Sequence, residues 1–230
     1  MSLSDDRIAR WARQLLVPGF GEDVQERLLG ARVRVVGVDA VASAALVYLV
    51  QAGVGRLWLD DPEDVSPADL SGWLFPPSAV GSSRVDAARS ALAPLSAFVQ
   101  VDRYPTGGVP SAALVCAPSV VQAVTAAEAA RRAGIPHVVV EPDGDGGAVI
   151  SVPPGAPCYS CARSAAGAGR PPEPGVAALA ALGAAELLHL MAQPGSVAGR
   201  RVELVRGVAT ARPTARLAGC ACAGAQPAEA

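Results

Sequence analysis

A chain of 230 residues that is 51% hydrophobic and 4% aromatic can bury a substantial core, built mainly from Ala, Val and Leu. Its formal net charge of -2 gives no sign of a surface for nucleic acid or an anionic membrane. All 19 basic residues are Arg, so Schiff-base chemistry and a lysine phosphate clamp are excluded.

From the N-terminus, residues 5–16 place Ile8, Trp11, Ala12 and Leu15 on one helical face, with Ser4 or Asp5 to cap it and Pro18-Gly19 to end it. Residues 22–29 predict a second short helix, 32–36 a strand, 40–51 an apolar helix stopped by Gly53, and 56–59 a strand ending at Asp60-Asp61. This is a β-turn-α-β unit with a right-handed parallel crossover. The alternation continues with a helix at 82–92, strands at 98–101 and 112–116, a helix at 120–133 and a strand at 137–141. Residues 146–152 begin an antiparallel part. A Pro/Gly/Ala-rich loop is expected at 165–174, an apolar helix at 175–191, late strands at 202–205 and 209–215, and a frayed tail from 223. The expected class is α/β: a Rossmann-like, mostly parallel sheet flanked by helices.

The N-terminal residues lack a basic-then-apolar leader, and the apolar runs at 41–50 and 176–185 are short for a membrane span. Five cysteines are an odd number for a disulfide framework. A cytoplasmic protein is the simplest expectation.

Three segments carry a family likeness. The first is Arg10-Trp11-Ala12-Arg13-Gln14, then Gly19-Phe20-Gly21 and Gln25-Glu26-Arg27-Leu28. The second is Ala52-Gly53-Val54-Gly55 leading to Asp60-Asp61, and the third is Pro157-Cys158-Tyr159-Ser160-Cys161. In order and spacing they resemble the ThiF/MoeB/HesA family of ubiquitin-like-protein-activating enzymes. The resemblance implies one domain over 1–230. Its parts are N-terminal helices (1–30), a nucleotide-binding-type core (31–145), an antiparallel part with the cysteine pairs (146–222) and a tail (223–230). It also implies ATP and Mg²⁺ as cofactors, adenylation of the C-terminal glycine of a ubiquitin-like protein, and a homo- or heterodimer.

Several residues depart from the family's pattern. Its phosphate loop, Gly-x-Gly-Gly-x-Gly-Ser, reads here Gly37-Val38-Asp39-Ala40-Val41-Ala42-Ser43, so only Gly37 and Ser43 remain. Glycines there let backbone N–H groups approach phosphate, whereas Asp39 adds a negative charge. A plain strand-to-helix turn is the simpler reading. Asp61 matches the acid that binds ribose hydroxyls, and equally suits a turn in an acidic loop. The family arginine after Asp69-Leu70-Ser71 is Gly72, and its lysine is Arg84, which also suits a solvated helix surface. The Mg²⁺-binding acid falls at Pro118, which has neither carboxylate nor N–H. Cys116 just before it suits a small core residue better than a nucleophile. Arg13 matches the arginine that reaches into a partner's ATP site, and also suits an exposed helix position.

The resemblance further implies that Cys158 and Cys161 join Cys220 and Cys222 in a closed tetrahedral zinc knuckle, although Cys-x-Cys is one residue shorter than the family's second pair. A redox Cys-x-x-Cys fits less well beside Pro157 and Tyr159. His137 and His189 suit structural positions. The leading expectation is a catalytically impaired relative that binds a partner, such as a ubiquitin-like protein, a peptide C-terminus or an active paralogue. An active adenylyltransferase with a rebuilt site is the alternative. A third reading, an NAD oxidoreductase, would use Asp61 on the ribose but lacks the glycine fingerprint.

Overall fold

In the computed structural model, which describes residues 3–143, 146–163, 173–195 and 198–224, the alternating segments form one eight-stranded sheet. The strands are β1 (Arg32–Val36), β2 (Arg56–Asp60), β3 (Gln100–Arg103), β4 (Ala112–Val115), β5 (His137–Asp143), β6 (Gly146–Val152), β7 (Arg200–Val205) and β8 (Val208–Pro213). They lie in the order β3-β2-β1-β4-β5-β6-β7-β8. The first five run parallel, and β6, β7 and β8 are antiparallel additions.

Seven helices accompany the sheet among the described residues: α1 (Asp5–Leu15), α2 (Glu22–Gly30), α3 (Ala40–Ala52), α4 (Arg84–Leu92), α5 (Val120–Arg132), α6 (Tyr159–Ala162) and α7 (Glu173–Ala192). Side chains alternate between the sheet's two faces. Val33, Val35, Leu57, Leu59, Leu114, Val138 and Val140 meet α3 and α7 in the larger core. Val115, Val139 and Ile150 meet α5 and Tyr159 in the smaller one. By length and composition α7 could cross a membrane, yet it packs against α3 on one side and β4, β5 and β6 on the other.

The opening motif closes the C-terminal end of α3. Trp11 Nε1 donates to Gln51 O at 2.9 Å, and Gln14 and Gln25 donate to Ala52 O at 3.0 and 3.1 Å. These side chains satisfy last-turn carbonyls that a helix end leaves without partners. Much of the family-like N-terminal pattern is therefore explained by packing.

The third strand differs from its expected bounds, 98–101 against Gln100–Arg103. Phe98 packs against Trp11 with the rings tilted and their centroids 5.5 Å apart, and its N–H donates to Ser96 Oγ, so the chain turns before it pairs. The helix expected from 82 starts at Arg84, because Ser83 caps it. The loop expected at 165–174 lies outside the described residues up to 172, where α7 then begins at Glu173. Of the expected tail, 225–230 also lie outside them.

Candidate functional site

Strand order reverses between β1 and β4, and the crevice beyond their C-terminal ends is where open α/β sheets bind ligands. Gly37 leaves β1 with φ +83°, and a Cβ there would lie 2.5 Å from Cys116 O at the end of β4. The two strand ends thus touch through backbone, and glycine is required for both reasons.

The amides around this turn are occupied by the chain's own carboxylates. Asp39 is the N-cap of α3, and its side chain accepts from Val41 N at 2.8 Å and Ala42 N at 3.3 Å. Asp61 Oδ2 accepts from Val38 N at 2.7 Å, while Oδ1 accepts from Glu63 N at 2.8 Å. A phosphate at a helix N-terminus uses such N–H groups together with the positive end of the helix dipole. Here one carboxylate satisfies both. Ser43 is 1% exposed and its hydroxyl donates to Asp39 O, so it too turns inward.

A short 3-10 turn, Pro67–Ser71, packs over the same helix end. A Cβ on Gly72 would lie 2.6 Å from Ser43 Oγ and 2.9 Å from Ala40 Cα. The loss of the family arginine at this position therefore goes with a backbone seated on α3. Arg84 is locked beneath it. Its guanidinium donates to Asp69 from Nε at 3.1 Å and Nη2 at 2.9 Å, and reaches Asp61 from Nη1 at 3.4 Å. Asp69 also accepts from the Ser66 N–H and hydroxyl, in a capping box. Burial pushes the Asp69 carboxyl up, but the Ser66 and Arg84 donors outweigh it and hold the group below its ordinary value.

Of the residues singled out by sequence, the fold brings together Gly37, Ser43, Asp61 and Arg84. Pro118 follows β4 on the other side of the crevice, and Cys116 is buried there, its thiol pushed well up by burial and then by the Asp39 charge. That thiol is poorly suited to nucleophilic work. Arg13 stands apart, exposed on α1. Sequence reasoning read Asp39 as a repulsive charge and missed that it caps α3, although Asp at an N-cap is a common signal. The Asp69–Arg84 fork had no local signal, because fifteen residues separate its members.

The second cluster is the four cysteines. Their sulfurs all lie within 4.8 Å of one another. Cys158–Cys161, Cys158–Cys220 and Cys161–Cys222 are 3.7, 3.6 and 3.5 Å apart. A tetrahedral ion with metal–sulfur bonds of about 2.3 Å needs sulfurs about 3.8 Å apart, so the four could hold one metal ion. The shorter Cys-x-Cys is accommodated because Cys220 lies against Cys158 and Cys222 against Cys161. Leu217 N–H donates to Cys161 Sγ at 3.4 Å. The Cys222 N–H, followed by its neighbouring thiols, draws the Cys220 thiol down to about 7. Burial pushes Cys158 up to about 12. Tyr159, between the first two cysteines, donates to Glu141 Oε1, which ties the knuckle to β5.

Comparison with known proteins agrees with this architecture. The model of the ThiF family matches residues 11–219. The chain is 40% identical over 100 residues to the molybdopterin-synthase adenylyltransferase of Salmonella typhimurium, covering 43% of this chain and 40% of that protein. It is 33% identical over 173 residues to the heterocyst protein HesA of Trichormus variabilis, covering 70% and 65% of the two. These matches thus span less than two thirds of either relative. A crystal structure of Escherichia coli MccB with MccA superposes with a TM-score of 0.81 at 18% identity, over 97% of this chain and 76% of that one, and so shares the fold. With a family match over nearly its whole length and this sheet order, the chain belongs to the ThiF family.

Proposed function

We propose that this protein is a catalytically impaired relative of the adenylyltransferases. It would act as a partner-binding subunit in a dimer in the cytoplasm. The observation that carries the reading is the occupation of the Val38, Val41 and Ala42 amides by Asp61 and Asp39. A triphosphate entering there would have to displace two carboxylates and would meet their charge. At about 4 Å, each such contact with one phosphate charge costs roughly 1 kcal/mol in water and about 4 kcal/mol at a partly buried site. Pro118 removes the oxygen ligand that a hard cation needs. Arg84, the one cation retained near the crevice from the family pattern, is engaged by Asp61 and Asp69.

In this reading the ThiF frame is kept for what it holds. A ubiquitin-like protein, a peptide C-terminus or an active paralogue is the partner class, and Arg13 is the side chain lent to a partner's site. The cysteine cluster holds a structural zinc. That ion supplies no chemistry to a substrate, since four thiolates leave no open position.

ATP–pyrophosphate exchange and calorimetry on the purified chain test the proposal. The expected results are no exchange with candidate carboxylate substrates and no Mg·ATP binding at micromolar concentrations. Robust exchange would overturn it in favour of an active adenylyltransferase with a rebuilt site.

A further inference from the structure

α5 carries two basic residues, Arg131 and Arg132, in its last turn. With Arg216 they line a cavity of about 470 Å³ at the end of the sheet where β5 begins and β6 ends. The crevice described above lies at the opposite end, beyond the C-terminal ends of β1 and β4. We infer that this second cavity is a binding site for a phosphate group. The inference is independent of the impaired-enzyme reading, since it draws on none of the crevice residues.

The charge balance comes first. No acidic residue lines the cavity. Glu128 is shared by the two arginines of α5: Arg131 holds it in a fork, with Nε to Oε2 and Nη2 to Oε1 both 2.7 Å, and Arg132 Nε donates to Oε1 at 3.0 Å. One carboxylate neutralises only one of these two guanidiniums. Arg216 donates from Nη2 to Gly155 O at 2.8 Å and has no acidic partner among the described residues. Three guanidiniums less one carboxylate leave a charge of +2. These bonds fix the guanidiniums and still leave donors over. Nη1 of Arg131, both Nη atoms of Arg132, and Nε and Nη1 of Arg216 bond nothing among the described residues. Cys222 also lines the cavity, but its sulfur lies 3.5 Å from Cys161 Sγ, within the cysteine cluster. Zinc on four thiolates would put a charge of -2 there, which weakens the attraction for an anion but occupies none of the guanidinium donors.

A planar guanidinium presents paired N–H groups that match the oxygens of a phosphate. Three of them suit phosphate better than a carboxylate, which has only two oxygens to share. Ile135, Val152, Pro153 and Pro154 make much of the remaining lining apolar, and the volume is that of a small-molecule site. There is room for an organic group on the phosphate. His137 gives a second sign. It lines the cavity and is 1% exposed. Its Nδ1 lies 3.2 Å from Ile135 O, which can only accept, so Nδ1 carries the proton and Nε2 is an acceptor. That buried Nε2 has no partner among the described residues. A buried polar group left in this way is commonly met by a water or a ligand.

The same histidine reports on binding. The chain has 2 His, and the other, His189, lies in the last turn of α7 and does not line this cavity. The test is a titration of the full chain with inorganic phosphate and with phenyl phosphate, at constant ionic strength, followed by NMR of both imidazoles. A saturable shift of His137 in the millimolar range is expected, with His189 unmoved. Arg216→Gln is expected to weaken binding about tenfold, by the loss of a charged hydrogen bond. Arg132→Gln, at a side chain that is 76% exposed, is expected to weaken it several-fold and decides the matter should Arg216→Gln not fold. Arg89→Gln, at an exposed arginine of α4 outside the cavity, is expected to change nothing. Tighter binding of phenyl phosphate would assign the site to a phosphomonoester, and equal or weaker binding to free phosphate. Benzoate bound as tightly as either phosphate would overturn the assignment. So would folded Arg216→Gln and Arg132→Gln proteins that bind like wild type. No shift of His137 at tens of millimolar of either phosphate would overturn the inference and leave the impaired-enzyme reading standing.

Discussion

Arg84 grips Asp69 through two nitrogens, with Nη2 at 2.9 Å and Nε at 3.1 Å, beside the turn that would have to receive a nucleotide. Both side chains are well covered, at 13% and 3% exposure. Removing one partner of such a pair leaves a charge without compensation and costs about 3 kcal/mol. Asp69→Ala is therefore expected to destabilise the protein by about that much in urea unfolding. Arg84→Ala should do likewise, and the double variant should lose less than the sum. The folded Asp69 carboxyl titrates below its unfolded value. Its contribution is thus fully present above the ordinary Asp range and is lost as pH falls through the lower, folded value.

Asp39 makes a simpler prediction. As an N-cap accepting from Val41 and Ala42, it is expected to contribute about 1 kcal/mol, lost in Asp39→Ala and mostly retained in Asp39→Gly. Neither variant is expected to gain pyrophosphate exchange, because Pro118 still lacks a carboxylate. A gain of exchange on this single change would argue that Asp39 alone silences the site.

Gly37 can be compared with Gly81, since both have positive φ, +83° and +85°. A Cβ on Gly81 meets nothing within 4 Å, whereas on Gly37 it meets a backbone oxygen at 2.5 Å. Gly81→Ala is expected to cost about 1 kcal/mol of left-handed strain. Gly37→Ala should cost more than about 2 kcal/mol, because β4 must also move away from β1. Equal melting temperatures for the two variants would show that the strand ends are not in contact.

His137 is expected to impose a pH dependence. It is 1% exposed, and burial holds its pKa down to about 4 from the usual 6.5. The unfolded chain therefore binds the proton more readily between these values, and stability falls as pH drops from about 6.5 towards about 4. The slope can approach about 1.4 kcal/mol per pH unit. His137→Phe, compared at the same metal loading, should have a flatter profile over this window.

Metal content tests the cysteine centre. Cys220→Ser replaces one of the four sulfurs that lie within 4.8 Å of one another. It is expected to lower zinc retained after dialysis against a chelator to well below wild type, with an accompanying fall in melting temperature. Unchanged zinc would count against a four-cysteine site.

Much of this protein is written in short stretches of chain. Alternating Val and Leu at 32–36 and 56–60 against the Ala-rich run at 40–52 dictates a β-α-β unit, because side-chain period separates strand from helix. The Cys-x-x-Cys and Cys-x-Cys pairs name a candidate metal centre, and the Arg-Trp-x-Arg-Gln opening names a family, since both are local patterns. Long-range pairing decided the rest. Whether Asp61 and Arg84 face a ligand or each other depends on how β2, α4 and the turn at 67–71 come together, and no local spacing encodes that. Asp39 differs: its cap on Val41 and Ala42 spans two and three residues, so the signal was local, and only its charge was read along the chain. Asp61, Asp69 and Arg84 meet one another and the Val38 amide only when segments distant in the chain fold side by side.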